Sequence, residues 1–169
     1  MPPKAQVLPE TKVLAETKVL ADTNVVVDRD AHTIMLTRTF AAPREQVFEA
    51  WTRPEHVACW WDPAGTRLAA CEIDLRPGGG FRFVNQGSPD APPFSGIYRE
   101  IAPPERLVFE AMGAIGKVVL KDLGGKTLLT VTIECGSTAQ LDQLVKMGVD
   151  VGTSQTLDNL VLYVGAMQR

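Results

Sequence analysis

Two histidines, three cysteines and a run of three glycines have the most chemical reach in this chain. His32 stands at the edge of the first strand-like segment and His56 on a short exposed helical one. Neither has a nucleophile and an acid at a spacing that makes a Ser-His-Asp or Cys-His arrangement. Cys59, Cys71 and Cys135 are widely spaced and odd in number, so they do not form a disulfide framework. They include no CxxC pair and no Cys/His group at zinc spacing. Three buried, reduced thiols are expected. Gly78-Gly79-Gly80 lies between two strand-like segments, not between a strand and a helix. It reads as a hairpin turn, where glycine tolerates positive φ, and not as a phosphate loop. The residues therefore point to no catalytic group, no metal and no cofactor.

Binding chemistry has better candidates. Trp60-Trp61 precedes Asp62-Pro63, and one indole can stand at the mouth of a pocket while the other packs a core. Phe83, Tyr98 and Phe109 lie mid-strand, with Phe81 and Phe94 as rivals for the same inward face. Tyr98 is the best polar contact, because a buried phenol needs a hydrogen-bond partner. Gln155 on the C-terminal helix is a second. Met112 and Met147 are adaptable apolar groups. We take Trp61, Phe83, Tyr98, Phe109, Met147 and Gln155 as the expected ligand contacts, with Val131 beside them. Asp74 and Arg76 precede the glycine turn and form either an ion pair that holds the hairpin or a polar anchor for a ligand.

The elements that must position these residues are legible from periodicity. His32 to Phe40 alternates as a strand. Pro43 opens a short helix in which Val47, Phe48, Ala50 and Trp51 recur at helical spacing. Arg53-Pro54 ends it, and Pro54 to Trp61 forms a second. Strands follow at Leu68–Leu75, Phe81–Asn85, Phe94–Ile101, Arg106–Met112, Gly116–Leu120 and Thr127–Cys135. In the last of them Leu129, Val131 and Ile133 share one face, the pattern of an antiparallel sheet packed on one side. Ser137-Thr138 caps a helix from about Ala139 to Met167 that carries a wide apolar stripe, with Gly148 and Gly152 as the places where it can break. Strand, two short helices, about six antiparallel strands and a long helix make an α+β fold. A curved sheet wrapped around one long helix leaves apolar space between them.

The chain has 169 residues, with 17 Lys and Arg against 20 Asp and Glu, a net charge of −3. That length is one domain with an extension, large enough to bury a core without metal or disulfides. The mild acidity and the absence of a basic cluster argue against nucleic acid. No apolar stretch is long enough to span a membrane, and no signal-peptide core opens the chain, so the cytoplasm is the expected location. Residues 1–30 differ from the rest. Glu-Thr-Lys-Val-Leu-Ala occurs at 10–15 and again at 16–21, with a variant from Asp22. Two hexamers cannot bury a face alone, so this segment is expected to be a mobile or loosely docked extension, or else an extra strand or arm that docks on a partner subunit. The domain proper is placed at 31–169.

Several segments together resemble the activator-of-heat-shock-protein-ATPase homologue (AHSA-type) branch of the START-like, or SRPBCC, helix-grip superfamily. They are Phe40 to Thr52, Pro54-Glu55-His56, Trp60 to Pro63, Asp74 to Gly79, Gly96 to Ile101, Pro104 to Val108, and Met147 to Leu160. The resemblance covers about residues 31 to 167. It implies a helix-grip fold and a pocket for a hydrophobic or amphipathic small molecule. It also leaves open a polyketide cyclase-like or hydrolase-like enzyme and a stress-response module that partners a chaperone ATPase. A homodimer is compatible with it. Members that look like this commonly carry Trp after the glycine equivalent to Gly152; this chain has Thr153, which implies a larger pocket or altered helix packing.

Overall fold

The computed structural model describes residues 15–20, 22–87 and 92–167. Three strands come first, β1 (Ala15–Leu20), β2 (Thr23–Asp28) and β3 (Thr33–Phe40), then two short helices, α1 (Arg44–Thr52) and α2 (Pro54–Trp60). Six strands follow: β4 (Ala70–Ile73), β5 (Gly80–Val84), β6 (Phe94–Ala102), β7 (Arg106–Ala111), β8 (Ala114–Asp122) and β9 (Thr127–Glu134). Helices α3 (Thr138–Lys146) and α4 (Val149–Met167) close the chain.

The described strands form one nine-stranded sheet in the order β1-β2-β3-β9-β8-β7-β6-β5-β4. Every neighbouring pair is antiparallel. Helices α1 and α2 carry the chain from β3 to the far edge. The strands then return one by one until β9 pairs with β3. Alternation selects the inner face: β3 buries Ile34, Leu36 and Phe40, while β9 buries Leu129 and Val131. The register sets Ile34 opposite Ile133 and Leu36 opposite Val131. Side chains at opposed positions share a face, so the two strands present one apolar surface.

The helix starts follow local chemistry. Pro43 caps α1 from outside, and its carbonyl accepts from the amides of Gln46 and Val47 at 3.0 and 3.2 Å. Pro54 opens α2, where its missing N–H costs nothing. The Ser137 side chain accepts from the Gln140 amide at 3.1 Å and caps α3.

Four expectations need correction. The expected boundary at residue 30 is not where the sheet begins: β1 and β2 add two strands at its edge, and Val25 and Val27 are fully buried in the core. Residues 1–14, with most of the first hexamer, lie outside the described residues. Of the two glycines at which the helix expected from 139 to 167 could break, only Gly148 divides it, into α3 and α4. Gly148 takes φ +80, a left-handed conformation that ends one helix and lets the next leave at a new angle, while Gly152 stays inside α4. The strand expected through Leu75 stops at Ile73, because the Arg76 amide turns back to the Asp74 carbonyl at 2.9 Å. Leu75 is exposed. The three cysteines are free but only half-buried.

Helix α4 packs chiefly on β2, β3, α1 and α2. That leaves the inner face of β6 to β8 to be covered by side chains alone, and they do not fill it. No described helix is long and apolar enough to cross a membrane.

Candidate functional site

The unfilled space is a cavity of about 240 Å³ between the sheet and the helices. Trp51 of α1, with Trp61 and Pro63 after α2, forms one wall. Phe94, Phe109, Ala111, Ala114, Gly116, Val131 and Ile133 form the sheet floor, and Met112 sits in the β7–β8 turn. Leu144, Val149, Gly152, Thr153, Thr156 and Leu157 close it from α3 and α4. Among the described residues no ionisable side chain lines it. A charged ligand group would lose its hydration there with nothing to replace it.

The wall is held at defined points. Trp60 is buried and donates its indole N–H to the Ala50 carbonyl at 2.9 Å, which locks α2 onto α1. Asn159 donates to the Asp62 carbonyl at 2.8 Å, and Thr156 donates to the Trp61 or the Gly152 carbonyl at 3.1 or 3.0 Å. These bonds tie the Trp61–Pro63 segment to α4. Across the cavity, Gln140 donates to the Gly113 carbonyl at 2.9 Å and pins the β7–β8 turn to α3. Met112 in that turn takes φ +56, a left-handed conformation unusual for a side chain of its size.

The expected contacts divide into three sets. Trp61, Phe109 and Val131 line the cavity. Phe83 and Tyr98 do not. They lie behind it in an aromatic cluster, where Phe83 packs 5.0 Å from Trp61 and Tyr98 5.1 Å from Phe81, ring centre to ring centre. That cluster surrounds a second void of about 20 Å³. Met147 and Gln155 are corrections: Met147 caps α3 and is exposed, and Gln155 points to solvent from α4. Gln155 is rotated around α4 away from the face that carries Thr153 and Thr156. Asp74 and Arg76 form an exposed ion pair at 3.0 Å beside the hairpin, away from the cavity.

Burial governs the titration of the inner cluster. It raises the Tyr98 phenol above its ordinary range, with the nearby Cys71 thiol adding to the shift. Burial pushes the Cys71 thiol up to about 11, with help from Glu55 and Glu72. Both stay protonated at neutral pH.

The two histidines stand outside this site. His32 occupies a turn at φ +59. His56 Nδ1 lies 2.5 Å from the Tyr163 hydroxyl on the outer side of α4. Among the described residues no group of three or more His, Cys, Asp or Glu is placed to hold a metal.

Sequence reasoning missed most of the helical wall. Thr153 alone carried a signal, through its departure from the pattern the chain resembles. Leu144 and Leu157 read as ordinary core positions of an apolar stripe, and Val149 and Thr156 were not singled out. Their role as wall depends on where α3 and α4 bend.

The profile of the family described as activator of Hsp90 ATPase homolog 1-like protein matches residues 41–165. This chain belongs to that family. Its solved relatives share the architecture. A Nitrosomonas europaea protein is 24% identical with a TM-score of 0.74, over 80% of this chain and 96% of that one. A Chromobacterium violaceum protein is 29% identical with a TM-score of 0.64, over 77% and 95%. An AHSA1-like protein of Aeromonas hydrophila is 22% identical with a TM-score of 0.62, over 79% and 94%. No curated protein matches. The helix-grip fold is thus the family's own, and the strands β1 and β2 precede the region matched by the family profile.

Proposed function

We propose that this AHSA1-like protein binds an uncharged hydrophobic or amphipathic small molecule between its sheet and α4, and does so in the cytoplasm. The observation that carries the reading is the cavity of about 240 Å³ with no ionisable residue among the described residues of its wall. An apolar cavity of roughly 150 Å³ is known to take up benzene, so this one has room for a flat molecule of two fused rings. Burying such a ligand is favourable in proportion to the apolar area removed from water. Packing alone does not require the hollow, since interiors close to crystal density carry few voids larger than a water molecule.

The test is saturable binding of a bicyclic apolar probe such as 2-acetylnaphthalene, followed by the quenching of Trp51 and Trp61 fluorescence. Micromolar, stoichiometric binding supports the reading. Absence of binding at the probe's solubility limit sinks it. Native mass spectrometry of protein from its own host then identifies the resident compound, and incubation with that compound separates carriage from turnover.

A further inference from the structure

Two buried side chains at the inner end of this cavity carry hydrogen-bond donors without partners. Trp51 is 8% exposed, and its Nε1–H is sealed from solvent and bonded to nothing. Tyr98 is 3% exposed, and its hydroxyl makes no hydrogen bond among the described residues. Buried polar groups are nearly always satisfied, so each unsatisfied one calls for an explanation. Here the two share a place. Both side chains line the small inner void of about 20 Å³. That void is the size of one oxygen-centred group, since a water needs roughly 10–15 Å³. Trp51, Trp61, Phe94 and Phe109 line both the void and the main cavity, so the two spaces are separated only by shared aromatic walls.

The chain builds this arrangement deliberately. Tyr98 sits immediately before a β-bulge in β6, where the register against β7 shifts between Tyr98 and Glu100. Its amide and carbonyl are both held by the glycine turn: Tyr98 N–H donates to Gly79 O at 2.9 Å and Gly78 N–H donates to Tyr98 O at 2.8 Å. A bulge of this kind re-aims a side chain. By contrast, the indole of the adjacent Trp60 is fully satisfied by Ala50, so an orphaned Trp51 is not a general property of the helix pair.

Resting on the proposed binding function, we infer that the inner void receives the carbonyl oxygen of an uncharged bicyclic aromatic ligand, hydrogen-bonded by Tyr98 O–H and Trp51 Nε1–H. The ligand's rings fill the 240 Å³ cavity and its acceptor points toward the void past the aromatic rings that line both spaces. Burial keeps Tyr98 protonated and therefore a donor. The recognised class is aromatic ketones and quinones, as opposed to fatty acids or hydrocarbons. A carboxylate would enter charged into an apolar chamber, and a hydrocarbon would leave both donors unpaired.

The experiment compares 2-acetylnaphthalene with its isostere 2-isopropenylnaphthalene, in which a methylidene group replaces the carbonyl oxygen. Wild-type protein should bind the ketone about tenfold more tightly, a difference of about 1.4 kcal/mol. Tyr98→Phe, at a side chain that does not line the main cavity, should reduce that preference while leaving the hydrocarbon's affinity within about twofold, and Trp51→Phe should also reduce the preference. The carbonyl stretch of the bound ketone should lie below its frequency in a hydrocarbon solvent, and move back up in Tyr98→Phe. The stretch needs no variant to be read, so it stands even if Trp51→Phe does not fold. Equal affinity for the two probes, with a carbonyl band at the hydrocarbon-solvent frequency, overturns the carbonyl site and leaves the cavity reading intact; that includes the case in which a water holds the void. Binding of neither probe overturns the cavity reading itself.

Discussion

The far end of the Phe109 ring reaches over Gly116, its cross-strand partner on β8, so closely that a Cβ at position 116 would stand 2.4 Å from Phe109 Cζ. Both residues line the cavity. The glycine is what allows the ring to occupy that place on the sheet floor. Gly116→Ala should therefore lift Phe109 into the cavity. We expect at least a tenfold loss of affinity for 2-acetylnaphthalene, read by fluorescence titration, with a cost in stability of roughly 1–3 kcal/mol from overpacking.

Thr153 offers the complementary test from the helical wall. It lines the cavity from α4, opposite the sheet floor. Thr153→Trp should fill the hollow with an indole, abolish probe binding, and leave the melting temperature equal to or above that of the wild type, because the added ring gains contacts where none exist. A variant that still binds the probe with wild-type affinity would place the ligand elsewhere.

Arg38 on β3 tests the grip itself. It is a charged residue on the buried face, 9% exposed. Its guanidinium pairs with the Asp158 carboxylate on α4 and donates to Thr23 Oγ1 at 3.2 Å on β2. Asp22 lies 3.7 Å away. The pair pins α4 to the sheet at the end remote from the cavity. Removing the acid strands a desolvated cation, so Asp158→Ala should cost about 2 kcal/mol in urea unfolding, less than a fully buried pair because Asp158 is partly exposed. The double variant Arg38→Met/Asp158→Leu should recover most of that loss.

Stability should fall in alkali through the inner cluster. Cys71 holds its proton up to about 11 in the folded chain against an ordinary value of 9.0. Tyr98 is shifted in the same direction. Between those two thiol values the unfolded chain loses a proton that the folded chain keeps, so stability is intact below pH 9 and is lost as pH rises toward 11. Cys71→Ser should make the decline in the urea midpoint over that window shallower. An unchanged slope would show that the thiol is free to ionise in the folded state.

Much of the fold was open to reading along the chain. The period-two alternation of β3 and β9, the Pro43 and Pro54 helix starts and the Ser137 cap are local signals, decided within a few residues. Glu-Thr-Lys-Val-Leu-Ala misled for the same reason. Its composition resembles a tail, and only pairing makes it sheet: β1 pairs with β2, and β2 pairs with β3 and buries Val25 and Val27.

The sequence by itself determined the order of elements, the buried face of β9, the aromatic character of the core and the family resemblance, because each rests on periodicity or on residue type. The tertiary structure alone decided which aromatic rings meet the hollow and which stand behind it. The bulge at Tyr98, the left-handed turn at Gly148 and the missing Cβ at Gly116 set those positions. Each acts by bringing together residues far apart in the chain, and no local pattern records the distance between them. Met147 and Gln155 fell on the solvent side for that reason, while Trp51 and Thr153 were brought to the cavity.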